Sequence, residues 1–160
     1  MNNENRLLQR LLNRLYNHWG KRDPVINRKL LKYNSDNLVD MHRLEPIQHE
    51  KKWGGETWIC NNEKFCGKIL TFKKGTEFST HFHDEKEEVF YLLSGEIEVT
   101  LINTDDSSKH NARIKAGEVI EIPRLVPHRI KAIKASKVIE FSTHHEESDS
   151  YRIEAGDSQK

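Results

Sequence analysis

From Trp53 onward, short β-rich runs alternate with turn signals, and this rhythm limits the possible folds more than any other feature of the chain. The runs are TWIC, FCGKILTF, VFYLL, EIEVTLI, VIEI, HRIKAI and KVIEFST. Gly75, Gly95, Gly117 and the loop NTDDSSKHN punctuate them. β-branched and aromatic residues suit a pleated surface, and glycine, asparagine, aspartate and serine suit turns. Strands this short and regular predict an all-β antiparallel sandwich or barrel.

The first fifty residues follow another rule. Leu7, Leu8, Leu11, Leu12 and Leu15 recur at helical spacing, which predicts a helix over 4–18 with one apolar stripe. Arg6, Arg10 and Arg14 lie largely away from that stripe. Gly20 and Pro24 end it, and INRKLLKY reads as a second short helix. The expected organisation is a helical N-terminal extension over 1–50 and a barrel over 51–160. The stripe has to be buried against the domain or against a second subunit.

The formal net charge is +1, so overall charge selects no partner. The distribution is uneven: residues 1–32 hold eight Lys/Arg and two Asp/Glu. The reading adopted is a helix with a solvated basic face, with no nucleic-acid or membrane partner. Two cysteines, Cys60 and Cys66, are too few for a disulfide scaffold and read as reduced thiols, which places the chain in the cytoplasm. No apolar run of about 18 residues predicts a membrane span.

Residues 80–96, THFHDEKEEVFYLLSGE, raise the functional question. On a strand, side chains alternate faces, so His81 and His83 point one way and Phe82 the other. Asp84, Glu85 and Lys86 read as a turn. Glu87 and Glu88 then face opposite sides of the next strand, and one of them reaches inward. In GEVIEIPRLVPHRI, Pro123 and Pro127 fix a bend and His128 opens a further strand. Three imidazoles and one carboxylate make a mixed N/O donor set suited to one divalent transition ion: Mn, Fe, Zn, Ni or Co.

At these residues the chain resembles the cupins. The first cupin motif runs G, five residues, H-x-H, three or four residues, E, six residues, G; Gly75, His81, His83, Glu88 and Gly95 fit it. The second runs G, five residues, P-x-G, two residues, H, three residues, N; Gly117, Pro123 and His128 fit it. Leu125 stands in place of the motif's second glycine and Ala132 in place of its asparagine. The resemblance covers about 53–145. It implies a cupin barrel, a double-stranded β-helix or jelly roll, with His81, His83, Glu88 and His128 as metal ligands.

A narrower resemblance is to the cupin domain of type II mannose-6-phosphate isomerases. Trp53, Gly54 and Lys68 match that family's opening elements, and Glu140, Asp149 and Arg152 follow in similar order near the end. It implies an aldose–ketose isomerase working through an enediol on a sugar or sugar phosphate. Lys68 or Glu140 would be the catalytic base, and Arg124, Arg129 or Arg152 would hold a phosphate by forked hydrogen bonds. The same ligand set also serves an Fe(II)-dependent dioxygenase acting on a small molecule, or a non-catalytic metal- or sugar-binding cupin. Small cupins often pair, so a homodimer is expected. Trp53 and Trp58 are candidates for a sugar-facing surface. One of His144 and His145 is expected at the barrel mouth, and Glu96, Glu98, Glu118 and Glu121 on the wet face of the sheet.

Overall fold

A computed structural model describes residues 45–159. The helix expected over 4–18, its leucine stripe, the basic arm and the segment INRKLLKY lie outside the described residues. Eleven strands follow in order: β1 Ile47–Lys51, β2 Gly54–Asn61, β3 Cys66–Phe72, β4 Thr80–Phe82, β5 Glu88–Ser94, β6 Glu96–Ile102, β7 Lys109–Lys115, β8 Val119–Ile122, β9 His128–Ala132, β10 Ser136–Ser142 and β11 Tyr151–Glu154. Ile47–Glu50, expected in the helical extension, are part of β1, which pairs with β2.

The strands form two antiparallel sheets. One has the order β1-β2-β3-β10-β5-β8 and the other β11-β4-β9-β6-β7. The sheets stay separate, which corrects the expectation of a closed barrel; β1, β8, β11 and β7 are edges. Alternation along the central strands builds the core. Leu70, Phe72, Phe90, Leu92, Ile122 and Val138 from the first sheet meet Ile97, Val99, Ile130 and Ala132 from the second. Trp53 belongs to this core and stacks on Phe72 at 4.6 Å between ring centroids.

Every apolar run singled out in the sequence contributes to a strand. Four strands lie outside those runs, and of these only β4 is marked in the sequence, by the alternation of His81, Phe82 and His83. β7, KHNARIK, is exposed almost throughout, and part of it reads as loop. β1 and β11 are edge strands of mixed, largely exposed residues. An edge strand needs its backbone partner more than an apolar face, so little alternation marks it.

The register sets up one functional face. Within the first sheet, Trp58 pairs with Lys68 and Lys68 with Glu140. Glu88 pairs with Ser142 on the same β10 strand. In the second sheet His81 pairs directly with His128.

Candidate metal centre

His81 lies on β4, His83 just after it, Glu88 opens β5 and His128 opens β9. One donor atom from each lies within 4.8 Å of the others. Of the two adjacent glutamates, Glu88 is buried at 3% exposure. Glu87 faces outward and pairs with Arg124 at 3.0 Å.

The three imidazoles are oriented from behind. His81 Nδ1 lies 2.8 Å from the Ser79 carbonyl, His83 Nδ1 2.7 Å from the Asp149 carbonyl, and His128 Nδ1 3.0 Å from the Val126 carbonyl. A carbonyl only accepts, so each Nδ1 carries the proton and each Nε2 keeps its lone pair. His83 Nε2, His128 Nε2 and Glu88 Oε2 are buried without a hydrogen-bond partner. Glu88 Oε2 and His128 Nε2 are 3.0 Å apart, but not in hydrogen-bond geometry. Buried polar atoms are normally satisfied. Several convergent lone pairs left over, with the other nitrogen of each ring tied to the backbone, are what a bound cation requires. The residues present fit a divalent ion.

The charges agree. Burial, reinforced by His128, pushes His81 down to about 3. Burial also lowers His83. Both rings are therefore neutral ligands at physiological pH. Burial alone would raise Glu88, but Lys86 and the neighbouring imidazoles hold it well below the usual carboxylate range.

Lys86 is the residue that sequence reading missed. Read only as part of a turn, it is 3% exposed, with Nζ 2.5 Å from Glu88 Oε1 and 2.6 Å from Glu140 Oε1. Burial would push this ammonium down; Glu140 and Glu88 outweigh it and hold it above its usual value. Asp149 delivers it: its carboxylate accepts backbone N–H groups from Asp84, Glu85 and Lys86 at 2.9, 3.2 and 3.1 Å. The only local signal was parity, because Lys86 lies two residues before Glu88.

A cavity of about 90 Å³ opens beside the ligands. At roughly 15 Å³ per water it holds about half a dozen, enough for the reacting end of a small molecule. Lys68 and Glu140 are on its wall, at 2% and 3% exposure. The Lys68 ammonium lies 3.6 Å from Glu56, 3.9 Å from Glu140 and 4.5 Å from the centroid of the Trp58 ring, a cation–π distance. Arg152 reaches the mouth and pairs with Glu147. His145 also lines the cavity, clamped through its backbone by Asn61, and burial with Lys68 and Lys86 nearby lowers it to about 4. His144 is exposed.

Two expected phosphate ligands are elsewhere. Arg124 sits in the bend and faces Glu87. Arg129 follows His128 on β9, so alternation turns it to the opposite face, where it meets Glu77 and Glu154, both at 3.7 Å. Neither lines the cavity.

Residues 68–144 match the family model described as the cupin domain. These residues form a cupin domain. Among solved structures, the chain is similar to oxalate decarboxylase from Bacillus subtilis, with a TM-score of 0.60 and 16% identity over 68% of this chain and 30% of that one. Another structure of that decarboxylase, concerned with its Mn(II) centres, gives a TM-score of 0.59 at 16% identity over 68% of this chain and 30% of that one. The capsular polysaccharide assembling protein CapF from Staphylococcus aureus gives 0.60 at 18% identity, over 79% of this chain and 36% of that one. The chain thus spans about a third of these proteins' length, and at such identities the likeness is one of cupin fold. No curated protein matches by sequence. Among the described residues no helix is long and apolar enough to cross a membrane.

Proposed function

We propose that this chain is a metal-dependent aldose–ketose isomerase of a sugar or sugar phosphate, moving a proton between C1 and C2 through an enediol. Glu140 carries the reading: a carboxylate buried to 3% exposure on the wall of the cavity that adjoins the metal donors. A divalent ion held by His81, His83, Glu88 and His128 would supply an electrophile for the sugar oxygens. Mn, Fe, Zn, Ni and Co all suit this donor set. The Mn(II) of the structurally similar decarboxylase favours manganese.

The chain's own residues divide the remaining work. Glu140 takes the C–H proton; Lys86 and Ser142 fix its Oε1 at 2.6 and 3.1 Å. Lys68 has the better position for stabilising negative charge on a substrate oxygen, since its ammonium already meets two carboxylates and an aromatic face. Arg152 offers a forked donor at the mouth, where the phosphate of a sugar phosphate would lie. The substrate is a small molecule and the protein acts in the cytoplasm. A homodimer completes the reading: Leu93, Val119 and Phe141 leave an apolar outer face on the first sheet, 48%, 59% and 59% exposed. Light scattering showing a monomer at working concentration removes the dimer.

Proton NMR in D2O tests the reaction, using metal-loaded protein with mannose, glucose and fructose 6-phosphates and with free mannose, fructose and lyxose. Deuterium should appear at C2 of an aldose, and the exchange should vanish in a His81→Ala/His83→Ala variant. No exchange from protein that carries metal rejects the isomerase. Oxygen uptake with Fe(II) would then support the dioxygenase reading.

A further inference from the structure

We propose that Lys86 is the specificity-determining residue of the cavity: its ammonium binds an oxyanion of the substrate, a carboxylate or phosphate group, once a divalent ion occupies the adjoining donors. The inference deepens the proposed function and rests on its metal centre, but not on the isomerisation.

The charges on the cavity wall lead to it. Four cations line the cavity, Lys51, Lys68, Lys86 and Arg152, and four carboxylates match them. Lys51 meets Glu56, Lys68 meets Glu56 and Glu140, Lys86 meets Glu88 and Glu140, and Arg152 meets Glu147. Without an ion, the wall is neutral and paired. A divalent ion on the four donors adds two positive charges that no further wall residue offsets. In a water-poor site, uncompensated charge is costly and favours uptake of a counter-ion.

Among the four cations, Lys86 feels this most. It shares the Glu88 carboxylate with the ion; its Nζ lies 2.5 Å from Oε1, while Oε2 is the unpartnered oxygen beside His128. Once Glu88 gives charge to an ion, Lys86 is left with Glu140, a counter-charge that it already shares with Lys68. Nor can it swing out to water. Its side chain is 2% exposed, and the loop that carries it is tied to Asp149 by three backbone hydrogen bonds. Lys51 and Arg152, at 32% and 40% side-chain exposure, can be screened by solvent instead. An anion entering with the ion is therefore held at Lys86.

Calorimetric titration of sulfate and of malonate into cobalt-loaded full-length protein at low salt tests this, with mannitol as the neutral probe. Both dianions should bind and mannitol should bind at least tenfold more weakly. Lys86→Met and Lys86→Gln should lower anion affinity at least tenfold with cobalt still bound. Lys137→Met, on an exposed position of β10, should change nothing. Glu140→Gln removes the competing carboxylate and should raise anion affinity several-fold, a sign that general damage to the fold would not give. Equal anion affinity in wild type and a cobalt-loaded Lys86 variant overturns the proposal. So does mannitol binding as tightly as the anions, or no gain in Glu140→Gln should the Lys86 variants fail to fold. Malonate without sulfate binding assigns the site to carboxylates, and the reverse assigns it to phosphate-like groups. Protein that takes up no cobalt overturns both the metal centre and this inference. Protein that binds anions through Lys86 but exchanges no sugar proton upholds the inference and removes the isomerase.

Discussion

At the scale of single residues, the donor set shows a division of labour between the two nitrogens of each histidine. Backbone carbonyls fix Nδ1 of His81, His83 and His128, so the ligand atoms are aimed before any ion arrives. His128→Ala should reduce bound metal from about one ion per chain to near zero, measured by atomic absorption after dialysis; unchanged stoichiometry would refute this centre. The buried titratable groups also fix a pH dependence. His81 and His145 are lowered from 6.5 to about 3 and about 4, so both stay neutral in the fold and gain a proton on unfolding. Between roughly pH 6.5 and 3 the unfolded chain binds more protons, and stability falls as pH drops. Glu88, held below the carboxylate range, acts in the same direction. Lys86, held above its usual value, contributes stability that is lost only at alkaline pH. The melting temperature of metal-free protein should therefore fall steadily below about pH 6.5, and His145→Gln should flatten part of that slope. A profile level from pH 7 to 4 would contradict the assignment.

At the scale of elements, the turns between strands separate two kinds of glycine. Gly95 joins β5 to β6 at φ +94°, and a Cβ there would meet Ser136 Oγ at 2.2 Å and the Ala135 carbonyl at 2.5 Å. Gly75 is also left-handed, at φ +82°, but has nothing within 4 Å of a Cβ. Gly75→Ala should cost about 1 kcal/mol, the strain of an L-residue in this region, and Gly95→Ala should cost clearly more because backbone must shift as well. Chemical denaturation of both variants decides it, and equal costs would show that close approach is irrelevant at Gly95. Leu125 gives the converse case. It stands where the cupin motif has glycine and adopts φ +62° anyway, its N–H donating to the His83 carbonyl at 2.7 Å. The turn before His128 survives the departure at a cost in strain. Leu125→Gly should be neutral or stabilising by roughly 0.5–1 kcal/mol, against the usual loss on introducing glycine; a loss above about 1 kcal/mol would mean that the 54%-exposed side chain contributes packing.

At the scale of the whole domain, the metal centre ties the two sheets together. Glu88 belongs to the six-stranded sheet, and His81 and His128 belong to the five-stranded one. An ion held by all three cross-links the core from one side, so it stabilises the folded state over the unfolded by mass action. At 100 times its Kd the gain is about 2.7 kcal/mol, a rise in melting temperature of roughly 5–10 °C. Calorimetry with cobalt or manganese should show the rise, excess chelator should reverse it, and the His81→Ala/His83→Ala variant should show neither.

Much of this was legible from residue order alone, because its causes are local. Alternation with period two put His81 and His83 on one face, and apolar runs bounded by turn residues marked the central strands. The bend between Pro123 and Pro127 pointed to His128, and the resemblance to the cupin motif chose Glu88 over Glu87. The polar edge strand β7 carried no such period, since its backbone pairing with β6, not burial, holds it in place. The tertiary structure alone decided where charge could be buried. Lys86 reads as a turn lysine until Asp149, more than sixty residues away, ties its loop and β10 brings Glu140 within reach of the ammonium. The same apposition places Lys68 beside Glu140, while strand parity turns Arg129 away from the cavity. A buried charge needs a partner, and that partner comes from a distant strand whose position no local pattern specifies.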